Sequence, residues 1–292
     1  MYEGKYFKLR IGISSCDKIV DEVLFKDYQS AGITDMEVSN GNQELNGLDF
    51  NLIKKWSTDY GVNLWSYHLP FAPNTQICIS KKETEKETVE LLSEFIKKGS
   101  DIGIDKFVIH PSGEPISDEE RPEQMKHSKE NLYKLSEVTE SCGAILAVED
   151  LPRTCLGRNS AEMLELISVH PNMKICFDTN HLLGEDVVDF IHKVGEKIIT
   201  VHVSDYDFIN ERHWLPGEGD VDWQAVYSAL NEVGYKGPWL YELGLEPPKT
   251  INRRQLTLAD FADNAKTIFA GKAPVAIGKR KERLGMWGVI ED

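Results

Sequence analysis

The sequence predicts an α/β fold, a single-domain (β/α)8 TIM barrel, and three observations carry that prediction. Short β-rich runs alternate with helical stretches eight times over about 270 residues. Six of those runs stop on a side chain able to hold a metal: His68, His110, Glu149, Asp178, His202 and Glu242. In a barrel, every strand end faces one centre, so such endings converge. Finally, no Gly-rich phosphate turn follows the first run, which disfavours a doubly wound open sheet. There is no linker, low-complexity stretch or repeat at the level of identity. Residues 1–271 are therefore expected to form the barrel. Residues 272–292 are expected to form a tail that packs on it or on a neighbouring subunit of a homo-oligomer.

The elements follow in order. Residues 9–14 read as a first short buried strand. Residues 19–32 read as an amphipathic helix with Val20, Val23, Leu24 and Tyr28 inward, stopped by Gly32. A second strand covers 33–38, with Glu37 near its end. A helix over 48–60 closes at Gly61, and a third strand covers 62–68 before Pro70. The helix over 83–103 carries Val89, Leu92, Phe95, Ile96 and Gly99 at helical spacing. Strand four spans 106–110 and stops at Pro111. The clearest helix spans 122–142, with Pro122 suited to its first turn and Met125, Ser128, Leu132, Leu135, Val138 and Cys142 as its stripe. Strand five is 145–149. Asn159 or Ser160 caps the next helix, which runs to about residue 170. Strand six is 174–178, followed by a short helix over 185–194. Strand seven is 198–204, and a long polar loop leads to a helix over 222–233. Strand eight is 239–243. The last helix, 257–270, turns Leu258, Phe261, Ala262, Ala265, Ile268 and Phe269 inward.

Composition narrows the function classes. Lys+Arg of 33 against Asp+Glu of 48 gives a net charge of −15, a poor field for a polyanion and a neutral one for a sugar-like ligand. The longest uncharged stretch, residues 60–80, contains Asn63, His68, Pro70, Pro73, Asn74 and Gln76, which excludes a membrane span. Residues 1–10 show no apolar core of signal-peptide length. Five cysteines without a Cys-x-x-Cys pair suit reduced thiols, so a cytoplasmic location is expected.

The chemistry concentrates at the last four strands. Glu149, Asp178, His202 and Glu242 each close a strand, and three carboxylates with one imidazole suit one divalent ion: Mn²⁺, Co²⁺, Mg²⁺ or Zn²⁺. Without a cation the carboxylates would repel one another and some would take up protons. His68, His110, His181 and His213 form a second, polar group around the same mouth, suited either to further metal ligation or to substrate hydroxyls. The glycines of Gly217-Glu218-Gly219 beside His213 would either let backbone approach a ligand or form a plain turn. His127, His170 and His192 lie on helices or their ends and read as structural. Arg153, Arg158 and the basic 279–283 stretch read as solvated surface rather than as a phosphate site.

Together these motifs resemble the xylose isomerase-like barrel superfamily of sugar and sugar phosphate isomerases and epimerases, tagatose 3-epimerase-like enzymes included; endonuclease IV is a more distant relative. The resemblance covers roughly residues 7–270. It rests on His68, His110-Pro111, Val148-Glu149-Asp150, Phe177-Asp178-x-x-His181, Val201-His202-Val203-x-Asp205, Arg212-His213-x-x-Pro-Gly-Glu-Gly-x-x-x-Trp223 and Tyr241-Glu242. It implies that Glu149 and Glu242 are the catalytic proton-transfer pair and that one ion binds Glu149, Asp178, His202 and Glu242. It also implies that His181 and Arg212 contact substrate oxygens. The chemistry agrees, because a proton beside a ketose carbonyl is removed only if the resulting cis-enediolate is stabilised, which a divalent ion on its oxygens does. Return of the proton to the opposite face of the same carbon epimerises; return to the neighbouring carbon isomerises.

The alternative from another class is an endonuclease IV-like, zinc-dependent abasic-site nuclease. Positions resembling its ligands are filled by the core set together with His68, His110, His181 and His213, with Glu211 where that family has Asp. Against it stand the charge of −15, strand-end loops at 39–46 and 68–75 without Arg or Lys, and the Gly-Glu-Gly-x-x-x-Trp form, which is similar to the sugar enzymes. A non-catalytic sugar-binding barrel is disfavoured because no catalytic position is lost. The expected ligand is a small-molecule sugar, sugar phosphate or cyclitol, with no nucleic-acid partner.

Overall fold

The computed structural model describes residues 10–40, 44–71 and 77–289. Leu9 of the first expected strand, Pro73, Asn74 and Thr75 of the loop after strand three, and Ile290 of the tail lie outside the described residues. Eight parallel strands form the barrel: β1 (Ile11–Ser14), β2 (Asp35–Ser39), β3 (Asn63–His68), β4 (Lys106–Ile109), β5 (Ile145–Glu149), β6 (Met173–Asp178), β7 (Ile198–His202) and β8 (Trp239–Tyr241). From β1 to β7 each strand pairs with the next in chain order, and β1 pairs with β8. The ring closes where Val203 N–H donates to Leu240 O at 2.8 Å and Glu242 N–H to Val203 O at 3.2 Å.

Eight helices alternate with these strands: α1 (Glu22–Ala31), α2 (Phe50–Tyr60), α3 (Glu85–Asp101), α4 (Arg121–Ser141), α5 (Ser160–Ile167), α6 (Val187–Val194), α7 (Trp223–Glu232) and α8 (Leu258–Phe269). Their starts are set by short polar side chains. Asp21, Asp49, Asn159, Asp186 and Asp222 each accept from a first-turn N–H, and Thr257 forms a capping box with Asp260. Gly32 and Gly61 end α1 and α2 at φ 76° and 64°, left-handed positions that favour glycine. The expected inner face of α1 is corrected in one respect. Phe25 and Tyr28 are buried, whereas Val23 is exposed, because the helix begins at Glu22 and its buried stripe starts a turn later.

Strand alternation sorts the two sides of the barrel wall. Phe107, Leu146, Val148, Ile175, Phe177 and Val201 point outward into the main core under the helices. Val108, Ala147 and Cys176 point inward and form a small apolar plug. Counting two on from Ala147, and again from Cys176, puts Glu149 and Asp178 on the inward face at the carboxyl ends. A register shift between Ile175 and Cys176 then brings Asp178 opposite His202 on β7.

The loop from β7 to α7 is organised by Asp205, which is fully buried. Its carboxylate accepts from Gly217 N–H (2.7 Å), Val221 N–H (3.2 Å) and the Trp223 indole N–H (2.9 Å). A Cβ on Gly219 would sit 2.1 Å from Asp205 Oδ1, and one on Gly217 would sit 2.8 Å from Pro274 O. Of the two readings of these glycines, the turn is the one observed: they admit the Asp205 side chain and the tail rather than a ligand. Asp205→Ala would strand the Gly217, Val221 and Trp223 donors and the Tyr206 N–H, which donates to Oδ1 at 2.9 Å, at about 1–3 kcal/mol for each that is buried. A loss of about 4 kcal/mol, or roughly 10 °C in melting midpoint, is the expected result in a thermal melt. A fall under about 2 °C would show that the loop holds itself.

After α8, the chain returns to the barrel mouth. β9 (Ile251–Asn252) pairs antiparallel with β10 (Lys279–Arg280), and a two-strand hairpin of β11 (Leu284–Gly285) and β12 (Gly288–Val289) follows. Arg280 binds Asp220 through both terminal nitrogens at 2.7 Å, Glu218 accepts from Gly278 N–H at 2.9 Å, and Trp287 stays exposed. Among the described residues, no helix is long and apolar enough to cross a membrane, and all five cysteines are free thiols.

Candidate active site

The carboxyl ends of β3 to β8 enclose a cleft of about 710 Å³. His68, His110, Glu149, His181, Glu211, His213 and Glu242 line it. Asp178 and His202, both at 0 % exposure, lie in its floor. His202 Nδ1 is 3.0 Å from Glu149 Oε1, 3.0 Å from Glu242 Oε2 and 4.0 Å from Asp178 Oδ2. One ligand atom from each of these four residues falls within 4.8 Å of every other, the convergence expected from the strand endings.

Asp178 Oδ2 is buried and lacks a hydrogen-bond partner. An oxygen of that kind is costly unless a proton or a cation satisfies it. The surroundings split the acids accordingly. Burial pushes Asp178 well above the usual carboxylate range. Burial acts the same way on Glu149, but the neighbouring His202 and His110 outweigh it and hold Glu149 well below that range. Burial likewise opposes ionisation of Glu242, and His202 overcomes it, setting Glu242 to about 2. Three acids and an imidazole sharing one unsatisfied oxygen make a donor set that fits a divalent ion.

Two histidine–carboxylate groups flank this set. His68 Nε2 and His110 Nε2 each stand 3.1 Å from Glu149 Oε2. On the other side, His181 Nε2 is 3.1 Å from Glu211 Oε2, and His213 joins them within 4.8 Å. Their tautomers are constrained by backbone carbonyls, which only accept. Nδ1–H donates to Leu69 O in His68 (3.0 Å), to Asp150 O in His181 (2.8 Å) and to Glu242 O in His213 (3.2 Å). In His68 and His181, Nε2 therefore faces a carboxylate and needs a proton or a cation between them. In His68 burial pulls the imidazole down, yet Glu149 outweighs it and raises the group to about 9. Glu211 is held below the ordinary range, because His181, His213 and Arg153 outweigh its burial.

Arg212 does not reach the cleft. Its Nε donates to Asp207 Oδ2 (2.9 Å) and one terminal nitrogen to Gly285 O (2.7 Å), so the expected substrate contact becomes a tie between the mouth loop and the tail. The arginine that lines the cleft is Arg153, at φ 53°, paired with Glu114 and with Glu211 at 2.8 Å. Sequence reasoning placed it on the surface because nothing in Leu-Pro-Arg-Thr marks a residue turned inward by a left-handed backbone. Asp17, Glu114 and Glu246 also line the cleft unforeseen, as does Phe71, whose ring stacks on His110 at 3.9 Å.

Comparison with known proteins supplies the lineage. A model of the family described as xylose isomerase-like TIM barrel matches residues 25–260. The chain belongs to the xylose isomerase-like TIM barrel family. Named relatives include the fructoselysine 3-epimerase of Escherichia coli O157:H7, 26% identical over 39% of this chain and 44% of that protein. They also include the inosose isomerase of Bacillus velezensis, 26% identical over 58% of this chain and 65% of that protein. An uncharacterised protein of Methanocaldococcus jannaschii is 26% identical over 58% of this chain and 61% of its own length. The matches thus span less than two thirds of these relatives. Among solved structures, a D-tagatose 3-epimerase-like protein superposes with a TM-score of 0.73 at 21% identity, covering 90% of this chain and 96% of its own. An L-ribulose 3-epimerase superposes at 0.67 and 24% identity, covering 80% and 81%. At these identities, the structural likenesses speak for the fold, and the barrel expected from the strand endings agrees with them.

Proposed function

We propose that this family member is a divalent-metal-dependent sugar isomerase or epimerase that moves a proton at the carbon beside a carbonyl. The observation that carries the reading is the convergence of Glu149, Asp178, His202 and Glu242 in the floor of a cleft large enough for a sugar. These four residues would hold one ion of Mn²⁺, Co²⁺, Mg²⁺ or Zn²⁺ character, which when bound acidifies a neighbouring C–H by drawing density from the carbonyl. Glu149 and Glu242 are the groups that remove and return the proton, and both carboxylates are held ionised, ready to accept one. His68, His110, His181 and His213 line the walls and orient the sugar hydroxyls. The named epimerase and isomerase relatives support the same class.

The cleft favours an unphosphorylated substrate. Arg153, the one Arg or Lys that lines it among the described residues, is already engaged by Glu114 and Glu211. Asp17, Glu114 and Glu246 add negative charge to the rim, which also disfavours a nucleic-acid backbone. A screen for deuterium exchange with Mn²⁺ present should label free ketoses at least about tenfold faster than their phosphates, since a phosphate would have to displace an existing ion pair. Exchange confined to phosphates would reverse the assignment, and exchange with no ketose or cyclitol would reject it.

A second reading of the metal content rests on the two flanking groups. His68–His110–Glu149 and His181–Glu211–His213 each place three donors together, with the outer Nδ1–H of His68, His181 and His213 tied to backbone as in ligating histidines. Elemental analysis after dialysis against trace Zn²⁺ should find one tight ion if the flanking histidines serve the substrate. Three per chain would make them ligands and bring the nuclease alternative back, to be checked by cleavage of an abasic duplex.

A further inference from the structure

We infer that Glu37, inside the barrel on β2, is the positioning residue of the metal centre: it takes the Nε2 proton of His202 and thereby aims the Nδ1 lone pair at the ion. The inference rests on the metal reading above and adds a residue that reading does not use. Glu37 is fully buried, beneath the cleft rather than in its lining. Its Oε1 stands 3.0 Å from His202 Nε2, while His202 Nδ1 faces Glu149 and Glu242 on the other side of the ring. The approach is oblique, and neither Oε1 nor Nε2 has a hydrogen-bond partner, so two orphaned buried atoms face only each other.

The other oxygen of Glu37 is fixed. Ser66 Oγ donates to Oε2 at 2.8 Å. That contact depends on a register shift in the β2–β3 ladder between Met36 and Glu37, which sets Glu37 opposite Ser66 after Met36 opposite Leu64. Without the shift, Glu37 would face Trp65. An ionisable side chain under a barrel mouth is expensive to bury. Among the described residues, no Lys or Arg ion pair is made by Glu37; the His202 imidazole is the group it faces. The arrangement makes sense if the carboxylate orders an imidazole. A histidine can present Nδ1 as a ligand only with its proton on Nε2, and a carboxylate acceptor at Nε2 selects that tautomer and raises the ring's donor strength.

The test is Mn²⁺ affinity, read by electron paramagnetic resonance on metal-stripped full-length protein. Glu37→Met, similar in size but without an acceptor, should raise the Kd about 10–100-fold. Glu37→Gln, which keeps an acceptor without the charge, should fall between Met and wild type. The melting midpoint of the stripped Glu37→Met protein should stay level or rise, because a buried carboxylate has been removed. An unchanged Kd in Glu37→Met overturns the inference. So does a weakened Kd accompanied by a clearly lower stripped-protein midpoint, which would make Glu37 a packing residue. If wild-type protein binds no Mn²⁺, the metal reading fails instead. Should the variants not fold, ¹⁵N resonances of histidine in the Zn²⁺-loaded wild type decide the matter: a His202 ring without a proton on Nε2 rules the role out.

Discussion

Glu149→Gln should lower proton exchange into a ketose by at least about 10³-fold while far-UV circular dichroism stays unchanged. The magnitude combines two losses. A positioned general base is worth roughly 10²–10⁴-fold, and a neutral amide is also a poorer ligand than a carboxylate. Glu149 stands at the centre of the polar floor: His202 Nδ1 approaches one oxygen at 3.0 Å, and His68 and His110 approach the other at 3.1 Å. Its charge is therefore what makes the surrounding imidazoles compatible with burial. In the variant, His68 loses the carboxylate that raises it to about 9, so it should titrate lower. The sign can be checked. A group raised in the folded state contributes stability below its unfolded value of about 6.5 and loses that contribution as pH rises through its folded value. Metal-free wild type should thus lose His68-linked stability between about pH 6.5 and 9, and Glu149→Gln should lose less over that window. Exchange within about tenfold of wild type would remove Glu149 from the proton-transfer pair.

What the sequence makes legible follows from strand periodicity. Each barrel strand ends on a residue whose inward direction is set by alternation, so Glu149, Asp178 and His202 could be assigned to one mouth from spacing alone. His68 and His110 share that legibility because proline stops the chain directly or soon after them. Asn159 was readable as a cap because a short polar residue before an apolar period has few other uses. Residues set by the fold of loops were not legible. Arg212 and Arg153 exchange expected places, since which arginine turns inward depends on a left-handed residue and on a tail more than 70 positions away in the chain. Glu37 was seen near the end of a strand, but its role needs the register shift opposite Ser66, and no pattern of residue types announces such a shift. The Gly217-Glu218-Gly219 segment suited a ligand approach and a plain turn alike, and only the fold shows the glycines making room for Asp205 and Pro274.

Glu242→Gln should abolish net interconversion of two epimers, yet leave exchange from one of them measurable. The reason lies in how differently the two glutamates are placed. Both line the cleft, but Glu149 is almost completely buried, at 1 % side-chain exposure, whereas Glu242 is more open at 12 %. Both lie 3.0 Å from His202 Nδ1, and in the proposed mechanism each serves one face of the substrate carbon. Inversion at one carbon needs a proton removed on one face and delivered on the other. With Glu242 neutral, Glu149 can still remove a proton from the epimer that presents its hydrogen to that side and return one from solvent to the same face. Net turnover should fall at least about 10³-fold, while deuterium should still enter one epimer and not its partner. Glu149→Gln should show the opposite preference in whatever exchange survives. Loss of exchange from both epimers in both variants would mean that the carboxylates act only as ligands, with the protons carried by the histidines of the wall. Equal residual exchange from both epimers would mean that another group of the wall reaches the face assigned to Glu242 and would remove Glu242 as the second base.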